Sequence, residues 1–86
     1  MTEDIKKYFL KISEGIAHSD STYVSHCEGI YNILQKLNQP EHVCLAGLFH
    51  SVYSTEYFTI ENPLSRQEVI NVIGKDAEQL VYIFCN

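Results

Sequence analysis

Apolar residues recur at spacings of three and four along most of the chain, which is the pattern of amphipathic helices. The first such stripe predicts a helix over about residues 3–17. A second helix follows Ser21 or Thr22, either of which can cap it. Its predicted apolar face consists of Tyr23, His26, Ile30, Ile33, Leu34 and Leu37. No segment shows the period of two that is typical of strands.

The third predicted helix is apolar on almost every side. A short turn at residues 38–40 precedes it, and Pro40 suits its first turn, where a missing N–H costs nothing. We expect the helix to extend to about residue 53 and to be buried on most sides. Ala46 and Gly47 would let a neighbouring backbone approach closely.

A loop over residues 54–64 and two shorter helices complete the prediction. The sequence SRQE at 65–68 has the form of a capping box, Gly74 ends the helix that it opens, and acidic residues begin the last helix. The pattern therefore predicts an all-α, single-domain bundle of about five helices over residues 1–86. The residues expected in its core are Leu34, Leu37, Leu45, Leu48, Ile73 and Leu80.

Charge and composition exclude several classes of protein. Six Lys+Arg against eleven Asp+Glu, with a net charge of −5, supply no basic surface for general nucleic-acid binding or for anionic membranes. No apolar run approaches the ~20 residues that span a bilayer, and the N-terminus lacks a secretory pattern. Three well-separated cysteines without a C-x-x-C pair suit a reducing compartment, so we expect a cytoplasmic protein.

Two of the four histidines are predicted to meet. Helices two and three should be antiparallel neighbours because the turn between them is short. At 1.5 Å per residue, His26 lies roughly 18 Å before this turn and His50 roughly 15 Å after it, so both occupy the same end of the hairpin. Such a pair is compatible with a metal site or with a buried polar pair. His18, in the polar break before helix two, would be a further ligand or a loop residue.

Three segments, YVSHCEGIYNILQKL, VCLAGLFHSVYSTE and VINVIGKDAEQLVYIF, follow in order a pattern that spans residues 21–86. This order resembles the core of the HD-domain superfamily of metal-dependent phosphohydrolases. Among its members, the likeness is to the hydrolase half of the stringent-response guanosine polyphosphate enzymes. The form HSVYxTExF looks like a separate, uncharacterised branch.

The resemblance implies a metal site with one serious departure. His26 matches the first ligand histidine of the HD pattern, and His50 matches the histidine of the His-Asp pair. Ser51 stands where the aspartate of that pair belongs, and a hydroxyl is a weak ligand for a hard cation. The final HD aspartate would lie at or beyond the end of this chain. Ser54 and Thr55 occupy the region of a further acidic pair, and Glu56 follows them.

Three functions follow as expectations. The first is a degenerate HD-like binding module without hydrolase activity, whose pocket of His26, His50, Ser51, Tyr53 and Glu56 holds a small polar or phosphorylated ligand or a partner segment. The second is a metal-dependent phosphohydrolase, in which Mn, Fe or Zn is held by the two histidines with Glu56 or His18. The third is a structural or oligomerising protein, since the apolar ending VYIFCN suits a homodimer contact or a longer parent chain.

Overall fold

The computed structural model describes residues 1–14, 21–53 and 64–85, and within them the chain forms α-helices and no strand. This confirms the predicted all-α architecture. The helices are α1 (Glu3–Ser13), α2 (Ser21–Lys36), α3 (Glu41–Leu48), α4 (Arg66–Ile73) and α5 (Lys75–Cys85). Of these described helices, none has both the length and the apolar character needed to cross a membrane.

Local sequence signals account for several of the helix ends. The hydroxyl of Ser65 accepts a hydrogen bond from the Glu68 N–H at 3.2 Å, as the capping box predicts. Asn38 has φ 59°, the Asn38 N–H donates to the Gln35 carbonyl, and the Gln39 N–H donates to the Leu34 carbonyl. These bonds form a Schellman motif that ends α2. Gly74 ends α4 with φ 91°, a conformation that disfavours side chains.

The core lies where α3 is enclosed by its neighbours. α3 packs against α2 on one side and against α5 on another, while α4 packs on α5 and α1 contacts both α2 and α4. Leu45, Leu48 and Ile73 are buried as predicted, and Leu34 and Leu80 are partly buried. Cys27 and Cys44 are fully buried, as is usual for free cysteines, which pack as small apolar residues.

The α2–α3 hairpin is antiparallel, as predicted. The ring of His26, early in α2, lies beside the ring of His50, just beyond α3, and Leu34, late in α2, lies against Gly47. The approach at Gly47 is very close. A Cβ atom added there would lie 2.7 Å from both Ile30 Cγ2 and Leu34 Cδ1. Gly47 therefore sets the spacing between the two helices.

The predicted apolar face of α2 is confirmed at Tyr23, Ile30 and Leu34, which pack inward, and is wrong at its other positions. Leu37, expected in the core, is 62% exposed, and Ile33 is 58% exposed. The face that packs inward consists of Tyr23, Val24, Cys27, Ile30, Tyr31 and Leu34. A cysteine and a tyrosine take the central buried positions because Cys27 is small and because the Tyr31 hydroxyl donates to the Glu41 carboxylate. His26 consequently lies on an exposed part of α2 and not inside the bundle.

Two predicted boundaries of α3 are also wrong. The helix ends at Leu48 and not near residue 53, because the chain leaves helical geometry at Phe49 and turns, with the Val52 N–H donating to the Phe49 carbonyl. Pro40 lies immediately before the helix and not in its first turn. The predicted loop at 54–64 and the end of the first helix at 15–17 fall almost wholly outside the described residues.

A pair of glycine variants tests the close approach of α2 to α3. Gly47→Ala should destabilise the protein by about 1–3 kcal/mol relative to Gly29→Ala, because its new Cβ overlaps Ile30, whose branched side chain is stiff about χ1. Gly29 has nothing within 4 Å of an added Cβ, so Gly29→Ala should gain about 0.5–1 kcal/mol from reduced backbone entropy. Urea unfolding of both variants measures the difference. Equal stabilisation by the two alanines would contradict the close contact.

Candidate functional site

The two histidines that the sequence singles out lie together at one end of the α2–α3 hairpin. The centroids of the His26 and His50 rings are 5.4 Å apart, with an angle of 72° between the ring planes. His26 is exposed, and His50 is half-buried beyond the end of α3. The predicted proximity of the two rings is confirmed. Their joint ligation of a metal stays a prediction.

The His50 ring is oriented by the backbone of its own helix. Nδ1 lies 2.8 Å from the carbonyl oxygen of Gly47. Since a carbonyl oxygen only accepts, Nδ1 carries the hydrogen and donates it, and in the neutral ring Nε2 is then the free acceptor. Histidines that bind metals or ligands are commonly oriented in this way. His50 therefore offers one defined nitrogen for recognition.

Two hydroxyl groups belong to neighbours of the histidines in the chain, Tyr23 one turn before His26 in α2 and Ser51 directly after His50. The oxygens of Tyr23 and Ser51 are 3.2 Å apart, and either group can donate. Burial raises the pKa of Tyr23, so its hydroxyl stays protonated at neutral pH. Burial also raises the pKa of the neighbouring Cys27 thiol to about 11, which keeps that group from acting as a thiolate nucleophile.

Tyr53 lies deeper than the sequence suggested. It is only 8% exposed, and its hydroxyl donates to Glu78 Oε2 at 2.7 Å. Arg66 donates to the same carboxylate through Nε at 2.8 Å and Nη2 at 2.9 Å. The Arg66 guanidinium also lies 3.7 Å from the centroid of the Tyr82 ring, a cation–π contact. The Tyr53 hydroxyl thus belongs to an ion-pair network beneath the turn.

Sequence reasoning missed this network. Glu78 was expected to be a favourable charge in the first turn of α5, yet it is 1% exposed and fully partnered. Arg66 is 12 residues away along the chain and Tyr53 is 25 residues away. A local pattern carries no signal for such pairs. The only local signal is that Gly74 alone separates the helix opened by the capping box from the acidic first turn of the last helix, so these two helices must be neighbours.

The donors around the histidine pair do not fit a hard divalent cation. They are two imidazoles and two hydroxyls, with no carboxylate among them, whereas such cations prefer anionic oxygens. Among the described residues, no group of three or more His, Cys, Asp and Glu side chains is placed to hold a metal ion. Two other predicted site residues, His18 and Glu56, lie outside the described residues.

Comparison of the sequence with known protein families identifies one family. The model of a domain of unknown function, DUF6817, matches residues 10–86, a range that contains the histidine pair, Ser51 and the Glu78 network. The chain belongs to the DUF6817 family. No curated protein and no solved structure matches it. The DUF6817 match thus covers all of the described helices except the first part of α1.

The buried carboxylate predicts how stability responds to acid. Hydrogen bonds from Arg66 hold the pKa of Glu78 below its ordinary value of 4.5 in the folded protein. The unfolded chain therefore takes up this proton first, and the stabilisation, present above pH 4.5, is lost as the pH falls through the lower folded-state pKa. Glu78→Gln should weaken this acid dependence while lowering stability at neutral pH.

Urea unfolding between about pH 7 and pH 3 measures the effect. Glu3→Gln removes an exposed carboxyl from α1 and controls for the change in net charge. An acid dependence that is equally steep in wild type and in Glu78→Gln would contradict the assignment.

Proposed function

We propose that this domain is a degenerate HD-like module that binds a small polar or phosphorylated ligand at His26 and His50 and lacks hydrolase activity. The observation that carries the proposal is the 5.4 Å separation of the two rings at a solvent-accessible end of the hairpin. The resemblance of residues 21–86 to the HD pattern supports the location, because both histidines occupy ligand positions of that pattern.

The chemistry of the pair favours hydrogen-bonded recognition. His50 is held by the Gly47 carbonyl, so its Nε2 is presented in a fixed orientation. A neutral imidazole accepts one hydrogen bond and donates another, and a protonated one donates two. Because the Nδ1 hydrogen of His50 is directed to Gly47, Nε2 accepts from a ligand hydroxyl when the ring is neutral and donates to a phosphoryl oxygen when the ring is protonated. Two adjacent imidazoles of this kind suit a ligand with several oxygen atoms, such as a phosphomonoester.

Loss of hydrolase activity follows from charge. Metal-dependent phosphoryl transfer needs a cation to neutralise the developing negative charge and to lower the pKa of bound water. The resemblance assigns the pair carboxylate to the position of Ser51, which is neutral here. Imidazoles alone favour borderline transition metals over hard cations. We therefore infer that the site retains recognition and has lost the reaction.

Ligand binding is tested by NMR titration of the 86-residue chain with inorganic phosphate and with small phosphomonoesters. The imidazole resonances of His26 and His50 should shift together and saturate, because both rings contact the ligand. His50→Ala should abolish the saturable shift, whereas His42→Ala, an exposed histidine at the start of α3, should leave it intact. No saturable shift with any phosphate probe, or an unchanged one in His50→Ala, would exclude phosphoryl recognition at this pair.

Hydrolysis is tested separately with Mn, Fe and Zn over a panel of nucleotides and phosphomonoesters. We expect no metal-dependent phosphate release, because the carboxylate of the pair is absent. Ser51→Asp should raise metal affinity, since it adds an anionic oxygen beside His50. Ser51→Asn, of similar size but neutral, is the matched control and should not. Turnover by the wild-type chain that is lost in His50→Ala would reverse the proposal in favour of an enzyme.

A further inference from the structure

We propose that Glu78 and Cys85, two residues of α5, are positioning residues that hold the turn at residues 49–53, which carries His50 and Ser51. The inference deepens the proposed function and rests on it, because the site that these residues would position is the proposed ligand-binding site. Neither residue belongs to the predicted pocket, so both would act through their contacts with the turn.

Glu78 holds the far end of the turn through Tyr53. The Tyr53 hydroxyl donates to Glu78 Oε2 at 2.7 Å, and the carboxylate is itself fixed by the two hydrogen bonds from Arg66. Both Tyr53 and Glu78 are buried, so water competes little for these bonds. The phenol is therefore held against α5 in one orientation.

Cys85 holds the near end of the same turn. Its thiol donates to the backbone carbonyl of His50, with a distance of 3.1 Å between sulfur and oxygen. Residues 78 and 85 are seven positions apart, two helical turns, and so lie on the same face of α5. Val81, between them on that face, is fully buried. One stripe of α5 thus contacts the turn at two points, three residues apart in the chain.

The turn requires such support because it lies beyond the end of α3. Leu48 is the last residue of that helix, and the chain direction changes at Phe49. The His50 ring is hydrogen-bonded to the Gly47 carbonyl, so its orientation depends on the path of the backbone between these two residues. A shift of the turn would therefore move His50 relative to His26, which stands on the separate helix α2.

The experiment compares two variants that each remove one phenol oxygen from the full chain. Tyr53→Phe removes the hydrogen bond to Glu78, and Tyr8→Phe removes the hydrogen bond from Tyr8 in α1 to Glu68 in α4. The control keeps the Tyr8 ring, whose centroid lies 6.2 Å from that of Phe49, so only the hydroxyl is lost. Proton–nitrogen correlation spectra of the imidazoles and NOEs between the His26 and His50 rings report the geometry of the pair without any ligand. Titration with inorganic phosphate reports binding.

Tyr53→Phe should shift the His50 ring resonances, weaken the NOEs between the rings and reduce phosphate affinity, whereas Tyr8→Phe should retain all three. A Tyr53→Phe protein that melts earlier but keeps wild-type imidazole resonances and NOEs would show a merely structural role and overturn the proposal. If wild type binds no phosphate, the proposed phosphoryl recognition fails, while the ring NOEs still decide the positioning role.

Cys85 provides an independent variant should Tyr53→Phe fail to fold. Cys85→Ala removes the thiol donor to His50 and should shift the His50 ring resonances, whereas Cys85→Ser restores a donor and should return them towards wild type. Imidazole spectra that are identical in wild type and Cys85→Ala would overturn the proposal on their own.

Discussion

The close contact of α2 with α3 at Gly47 is the constraint on which the site depends. Because Gly47 has no Cβ, Ile30 and Leu34 occupy the space that a side chain would fill. The two helices then lie near enough for His26 to meet His50 one turn further along the hairpin. The same glycine also supplies the carbonyl that orients the His50 ring. One small residue thus sets the distance between the histidines and the direction of one of them.

A buried carboxylate imposes the second constraint. A charge such as that of Glu78 is costly inside a protein unless it is paired and fully hydrogen-bonded. Arg66 from the start of α4 and Tyr53 from the turn after α3 both donate hydrogen bonds to it, so two separate segments are tied to α5 through one carboxylate.

The sequence predicted the features that depend on local chemistry. The helical class, the capping box at Ser65, the end of α4 at Gly74 and the meeting of His26 with His50 all follow from residue spacing or turn preference. The inward face of α2 could not be predicted in this way. The apolar residues of α2 cover too wide an arc of the helix to show which side faces the core. Leu37 and Ile33 belong to that arc, yet the partly polar Tyr31 is buried in their place. The hydrogen-bond partners of Glu78 are 12 and 25 residues away from it in the chain, and contacts between such distant residues produce no periodic pattern in the sequence.

The proposed function separates recognition from reaction on the basis of charge. Tyr23, one turn before His26, keeps its proton because burial raises its pKa, and its hydroxyl lies 3.2 Å from that of Ser51, the residue after His50. The carboxylate that the fold buries behind the turn, Glu78, is already committed to Arg66 and to Tyr53. Its strong bonds therefore serve to hold the turn, not to bind a cation. Under the proposed function, imidazoles and hydroxyls discriminate between ligands by hydrogen-bond geometry, which requires no metal and no anionic ligand set.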